Sequence, residues 1–295
     1  MDNNKVSIII PSRKERFLQK TIDTLFENAT GDIEIIAILD GYWPDPVLKD
    51  DPRLIQLHRT SNLGMRPGIN AAVSISKGKY LFKIDGHCMV GKGFDEILKA
   101  DCADNWMVVP RRFSLDAELW QVMDKKPVDY HFLSYPYERP GDRTCGLHGQ
   151  VWSERATHKK DILIDDEMSS QGSCYFTTRK WWDVLGPMEI HNYGTFAQEF
   201  QELGMKTWLG GGEVKINKKT WYAHLHKGSK WGTGYGFTND QWRQWIADKE
   251  AARLFTIDFS LHNKWEKRVH DFEWLIEKFS PVPTWPEDWR EKIKN

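Results

Sequence analysis

Apolar residues along this chain come in short dense runs divided by polar and glycine-rich joints, and two periods alternate. Lys5–Ile10 (KVSIII) reads as a strand buried on both faces, stopped by Pro11-Ser12-Arg13. Phe17, Leu18, Ile22, Leu25 and Phe26 recur at helical spacing and predict a helix over Phe17–Asn28, broken by Gly31. Glu34–Leu39 and Leu54–His58 predict further strands, Gly68–Ser76 a helix closed by Gly78, and Tyr80–Asp85 a fourth strand. Strand, helix, strand, strand, helix, strand at such short spacing predicts an α/β fold whose sheet is mostly parallel and flanked by helices.

The second half is less regular. Phe94–Asp101 predicts a helix and Trp106–Pro110 a strand. Residues 115–170 carry Pro127, Pro136 and Pro140 among scattered aromatics, and predict loops and short strands on one face of the sheet. Gly172–Thr177 predicts a strand, Arg179–Leu185 a helix capped by Gly186, and Ala197–Leu209 a helix ended by Gly210-Gly211-Gly212. Val214–Ile216 and Thr220–His226 predict two more strands. From residue 237 the pattern is helical, charged and rich in Trp, ending in a Pro/Trp tail.

Composition changes this picture little. A 40% hydrophobic content in 295 residues supports a sizeable core, and a net charge of -1 supplies no global pull toward nucleic acid or anionic lipid. Four scattered cysteines (Cys88, Cys102, Cys145, Cys174) contain no CxxC pair, which points to a reducing, cytoplasmic setting. The first apolar run is too short for a secretory leader, and no window has the length of a membrane span, so a soluble protein is expected.

The chemistry concentrates in Tyr80–Val90 (YLFKIDGHCMV). Asp85 and His87, two apart at the end of a buried strand, are expected to point the same way. Gly86 between them leaves room for something bulky or lets the chain turn. Carboxylate oxygen plus neutral imidazole suits a divalent metal such as Mn²⁺, and strand ends of open α/β sheets are where ligands sit. Together these suggest a metal site holding a phosphate-bearing substrate.

The ordered series VSIIIPSRKE, IIAILDG, SNLGMRPGINAA, GKYLFKIDGHCMV, QGSCYFTTRKWWDVLGPME, AQEFQELGMKTWLGGG and WYAHLH resembles the nucleotide-sugar glycosyltransferases of GT-A fold. The likeness is to the family 2 enzymes, with a metal motif similar to that of the polypeptide N-acetylgalactosaminyltransferases. The resemblance implies a GT-A domain over residues 1–236, with 115–170 as an insertion on the acceptor side and 237–295 as a helical, Trp-rich extension. It implies transfer of a sugar, hexosyl or pentosyl, from a nucleotide-diphosphate sugar, a UDP sugar foremost, to a hydroxyl-bearing acceptor.

By the same resemblance Pro11, Ser12, Arg13 and Glu15 edge the nucleotide pocket. Asp40 binds the base or ribose, or else closes an Asx turn before Gly41. Asn62, Gly64 and Arg66 belong to a loop over the donor, with Arg66 on phosphate. Asp85 and Gly86 lie at the diphosphate. Asp85 and His87 take the Asp-x-His form of the metal motif, completed by a later histidine, His224 or else His226. The metal is Mn²⁺ foremost, with Mg²⁺ the other candidate. Glu199 or Glu202 stands where the family carries its acceptor-side carboxylate, although Gln198-Glu199 departs from the usual acidic pair. Lys227, Lys230, Trp231 and Tyr235 resemble a loop that folds over bound donor, with Trp231 as lid and Lys230 near the diphosphate.

Two other classes fit parts of the sequence. A nucleotidyltransferase on a similar sheet would carry a Gly-rich basic signature after the first strand, where PSRKER stands instead. A non-catalytic carbohydrate- or nucleic-acid-binding module would use the Trp-rich C-terminal half for stacking, but gives Asp85, His87 and His224 no reason to converge. The acceptor is open, with polysaccharide and modified nucleic acid among the candidates.

Overall fold

The computed structural model describes residues 4–137, 146–194, 197–234 and 236–293. Tyr235 and Cys145, singled out above, lie outside the described residues.

The first half follows the hydrophobic pattern closely. Strand β1 (Val6–Ser12) is followed by α1 (Leu18–Asn28), β2 (Ile33–Asp40), β3 (Leu54–Arg59), α2 (Met65–Ile75) and β4 (Tyr80–Ile84). These strands run parallel in the order β3-β2-β1-β4. Alternation along β1 splits the core in two. Ile8 and Ile10 face α1 through Leu18, Ile22 and Leu25, while Ile9 faces α2 through Ile69, Ala72 and Val73. Helix α2 starts three residues before the expected Gly68, because Pro67 falls in the first turn, where its missing N–H is no loss.

Beyond β4 the sheet becomes mixed. The chain continues through β5 (Cys88–Val90), α3 (Phe94–Ala100), β6 (Trp106–Asp116), β7 (Gln121–Val122), β8 (His131–Leu133), β9 (Gly149–Val151), α4 (Ser153–His158) and β10 (Ile164–Asp166). It then forms β11 (Cys174–Thr178), α5 (Arg179–Leu185), α6 (Glu199–Leu209) and β12 (Glu213–His224). Strand β11 lies antiparallel between β4 and β6, and β12 runs parallel to β6. The two strands expected over Val214–His226 are one strand, bulged between Asn217 and Trp221. Past the bulge, β12 pairs with both β6 and β5.

The short α7 (Gly228–Trp231) leads to α8 (Asn239–Leu261), opened by a capping box of Thr238 and Gln241. Helices α9 (Phe272–Phe279) and α10 (Trp289–Lys292) follow. Phe272, Leu275, Ile276 and Phe279 join Trp208 of α6 in the core on the α2 face, so the C-terminal helices share the sheet's interior. No helix among the described residues is long and apolar enough to cross a membrane.

Candidate active site

Asp85, Gly86 and His87 occupy the turn between β4 and β5 rather than the strand itself, which ends at Ile84. Their common direction therefore comes from the turn and its neighbours, not from strand alternation. The Asp85 N–H donates to the Ser173 carbonyl at 2.9 Å, and the Leu225 N–H to the His87 carbonyl at 3.2 Å. Pairing of β5 with β12 sets Cys88 opposite His224. This register carries His224 to the turn.

Three ligand atoms meet there. His224 Nε2 lies 3.1 Å from His87 Nε2 and 3.3 Å from Asp85 Oδ2, and His87 Nε2 lies 3.8 Å from that same oxygen. His226 is not part of this group: its ring meets His224 edge-on, with centroids 4.9 Å apart. Of the two histidines left open by the sequence, His224 is the one brought to Asp85 and His87.

The electrostatics favour a cation. Burial alone would raise the Asp85 carboxyl, but Lys83, His224 and His87 hold it well below the ordinary carboxylate range. Burial pushes His224 down to about 4, leaving a neutral imidazole at pH 7. His87 Nδ1 donates to Glu15 Oε2 at 3.0 Å, which fixes the tautomer and leaves the Nε2 lone pair facing Asp85 and His224. Burial would raise Glu15 too, but His87 and Lys227 bring it below its usual value. Gly86 makes this possible, since a Cβ there would stand 3.0 Å from Glu15 Cγ. One carboxylate oxygen and two imidazole nitrogens, one of them oriented by a second carboxylate, form a donor set that fits a divalent transition metal.

The trio opens into a cleft of about 610 Å³ that also includes Pro11, Ser12, Arg13, Glu15, Ile38 and Asp40. Asn62, Gly64 and Met65 extend it over the ends of β1 and β2. The place is the one open α/β sheets use for ligands, beyond the carboxyl ends of the parallel strands.

Residues 7–161 match the family described as Glycosyl transferase family 2. The chain belongs to that family. A Drosophila melanogaster protein named as a polypeptide N-acetylgalactosaminyltransferase is 23% identical over 331 residues, covering 94% of this chain and 56% of that protein. The uncharacterized glycosyltransferase EpsJ of Bacillus subtilis is 31% identical over 108 residues, covering 34% of this chain and 31% of EpsJ. The chain thus spans little more than half of the first relative and less of the second.

Two solved structures share the fold. GalNAc-T7 with UDP, GalNAc and Mn²⁺ has a TM-score of 0.67 at 13% identity, covering 97% of this chain and 59% of its own. S. aureus TarS 1-349 in complex with UDP-GlcNAc has a TM-score of 0.52 at 12% identity, covering 89% and 68%. The family 2 chain is therefore a GT-A fold, as its motifs imply.

Other expected residues of this family 2 site are placed unevenly. Asp40 lines the cleft, yet its carboxylate accepts from the Leu63 and Gly64 N–H groups at 3.1 and 2.9 Å and faces Arg59. It shapes the 61–64 loop. With its amide oriented to suit both neighbours, Asn62 donates to Asp40 and accepts from Arg13. Arg66 does not reach the cleft. It is fully buried, donates to the Glu189 and Ala197 carbonyls and pairs with Glu202. Glu202, the other expected acceptor-side carboxylate, thus lies in the interior with Arg66, its other oxygen taking Lys206 and the Glu189 N–H, and has no link to the Asp85 group among the described residues. Lys230 points outward to Glu118, and Trp231 packs edge-on against Phe17, so neither lines the cleft; Lys227 does.

Glu199 does not line the cleft, but lies one lysine away from Asp85, through Lys83. It opens α6 directly after Gln198, whose left-handed φ of 54° is a strained setting for a non-glycine residue. Burial raises its carboxyl above the ordinary value, and Lys83 only partly offsets this.

Two groups of residues went unnoticed in the sequence. Lys83 joins Asp85 to Glu199, although it sits in a run that reads as a plain buried strand. Phe237, Trp242 and Trp245, at the start of the expected extension, wall the cleft, with the two tryptophans stacked at 4.9 Å. Their high Trp content was visible; their place was not, since it depends on where α8 packs.

Proposed function

We propose that this chain is a metal-dependent glycosyltransferase that moves a sugar from a nucleotide-diphosphate sugar to a hydroxyl-bearing acceptor. The reading is carried by the convergence of Asp85, His87 and His224 inside the ligand cleft. Those three residues would hold the metal, Mn²⁺ foremost. Such an ion neutralises charge on a diphosphate leaving group.

The chain's own residues supply the rest. The end of the cleft around Ile38, Asn62 and Met65 takes the nucleoside, uridine foremost, and the tryptophans of α8 close over it. Arg13 and Lys227 offer positive charge at the diphosphate. Glu199 stands on the acceptor side, where its raised affinity for protons suits a group that takes one from an attacking hydroxyl or orients that hydroxyl. The relatives named above and the UDP-bound structures of the same fold support the donor class. Residues 1–236 form the transferase domain in this reading, residues 115–170 its acceptor-side insertion and residues 237–295 its extension, and the enzyme works in the cytoplasm.

The test is a donor screen: purified protein, Mn²⁺ and a panel of nucleotide sugars, scored by release of nucleoside diphosphate. Release from at least one UDP sugar, abolished by chelator, is expected. No release from any donor, together with no metal-dependent nucleotide binding, would overturn the reading.

A further inference from the structure

Lys83 lies on β4 two residues ahead of Asp85, and its side chain is 2% exposed. A lysine ammonium is enclosed so deeply only where acceptors surround it. Nζ donates to Asp85 Oδ1 at 2.7 Å, to Glu199 Oε2 at 3.1 Å, and to the Gly172 carbonyl. Those three bonds use all three protons an ammonium has. Glu199 is fixed from its other side, since Tyr175 Oη donates to Oε1 at 3.1 Å. Gly172 is shaped to admit it, because a Cβ there would collide with Glu199 Oε2. A metal-trio carboxylate, the first residue of α6 and the chain just before β11 thus converge on one cation.

This convergence divides the two oxygens of Asp85. Oδ1 belongs to Lys83, while Oδ2 faces both imidazole Nε2 atoms. We propose that Lys83 is a positioning residue that presents Asp85 to the metal through Oδ2 alone and holds Glu199 at a set place relative to the metal centre. The second half of this assignment rests on the transferase reading; the first half needs only a divalent cation.

Methionine at position 83 keeps the unbranched stem and most of the volume of the side chain and removes every donor. Direct Mn²⁺ titration by electron paramagnetic resonance should show Lys83→Met binding the ion about 10-fold or more weakly than wild type. UDP affinity measured without metal should stay unchanged. Donor turnover should fall, and Glu199→Gln should add little on top of Lys83→Met, the non-additivity expected of residues acting as one unit. Gly172→Ala separates the two arms. Its Cβ meets Glu199 and leaves the Lys83–Asp85 bond in place, so Mn²⁺ affinity should fall far less than in Lys83→Met while turnover falls about 10-fold or more.

Should Lys83→Met fail to fold, Lys83→Gln, which retains an amide donor, and Gly172→Ala carry the same comparison. Folded Lys83 variants with wild-type Mn²⁺ affinity would overturn the assignment, as would multiplicative losses with Glu199→Gln. A wild-type protein that binds Mn²⁺ but no nucleotide would sink the transferase reading and leave the Mn²⁺ comparison to decide Lys83. One that binds neither would overturn both.

Discussion

His87 Nε2 and His224 Nε2 stand 3.1 Å apart although 137 positions separate them in the chain. The β5–β12 register creates the approach, and burial keeps His224 neutral. Both Nε2 atoms face Asp85 Oδ2, so a divalent ion between them would satisfy all three atoms. His224→Ala should therefore weaken Mn²⁺-dependent UDP binding by about 100-fold or more, by analogy with the losses seen on disturbing metal shells. His226→Ala should leave it nearly unchanged, because that ring only meets the edge of His224. Isothermal titration of both variants decides it. A larger loss from His226→Ala would move the metal away from the trio.

Glu15 governs the other imidazole. Its carboxylate accepts the Nδ1 proton of His87 and pairs with Lys227 across the cleft mouth. Removing the carboxylate charge while keeping the shape frees the ring to adopt either tautomer. Glu15→Gln should lower metal affinity by about 10–100-fold with little change in melting temperature. Titration with Mn²⁺ alone separates this from an effect on nucleotide. Unchanged Mn²⁺ affinity would make Glu15 a nucleotide contact only.

What could be read in the sequence follows from how local each feature is. The parallel half of the sheet was legible because runs such as Ile8-Ile9-Ile10 and Ile35-Ile36 are buried on both faces and so carry no ambiguity of register. Asp85 and His87 were legible as chemistry but not as geometry, since the turn after Ile84 leaves no periodic trace. Arg66 and Glu202 show the converse. Each looks like a site residue from its place in a motif, and only the folded chain reveals that the two meet in the interior. Lys83 was hidden for a similar reason: a lone lysine in an apolar strand gains meaning from Glu199 and Gly172, which are far away in sequence.

The Arg66–Glu202 pair makes its own test of that correction. Both side chains are fully buried, and Arg66 also stacks over Tyr193 at 4.1 Å. Breaking a buried pair from one side leaves an uncompensated charge and costs about 3–5 kcal/mol. Arg66→Met or Glu202→Gln alone should lower unfolding stability by roughly that amount, while turnover per folded molecule changes little. Replacing both at once, Arg66→Met with Glu202→Leu, should cost less than the sum of the two single losses, because neither charge is left facing an empty partner, while Lys206 and the Glu189 N–H still lose their acceptor. Urea unfolding combined with active-fraction assays checks it. A single variant that kept its stability and lost donor affinity would return Arg66 to the phosphates.

Glu199 should behave in the opposite sense. Burial raises its carboxyl above the ordinary glutamate value of 4.5, so the folded protein holds that proton more tightly than the unfolded chain does. A raised acid contributes stability that is fully present below the unfolded value and is lost as pH rises through the folded one. Above that folded value the ionised, buried carboxylate is a liability for stability, which a functional group tolerates. Glu199→Gln removes the charge and keeps one carbonyl acceptor for Lys83, while its amide N–H can donate to the Tyr175 hydroxyl in place of the bond that Oε1 accepted. It should melt higher than wild type at pH 7, with the gap closing as pH falls below about 4.5, while turnover drops by about 10²–10⁴-fold. Calorimetry across pH 4 to 8 alongside turnover provides the measurement. A variant that melts lower at pH 7 would make Glu199 a structural anchor for Lys83 and leave the acceptor-side role to another group.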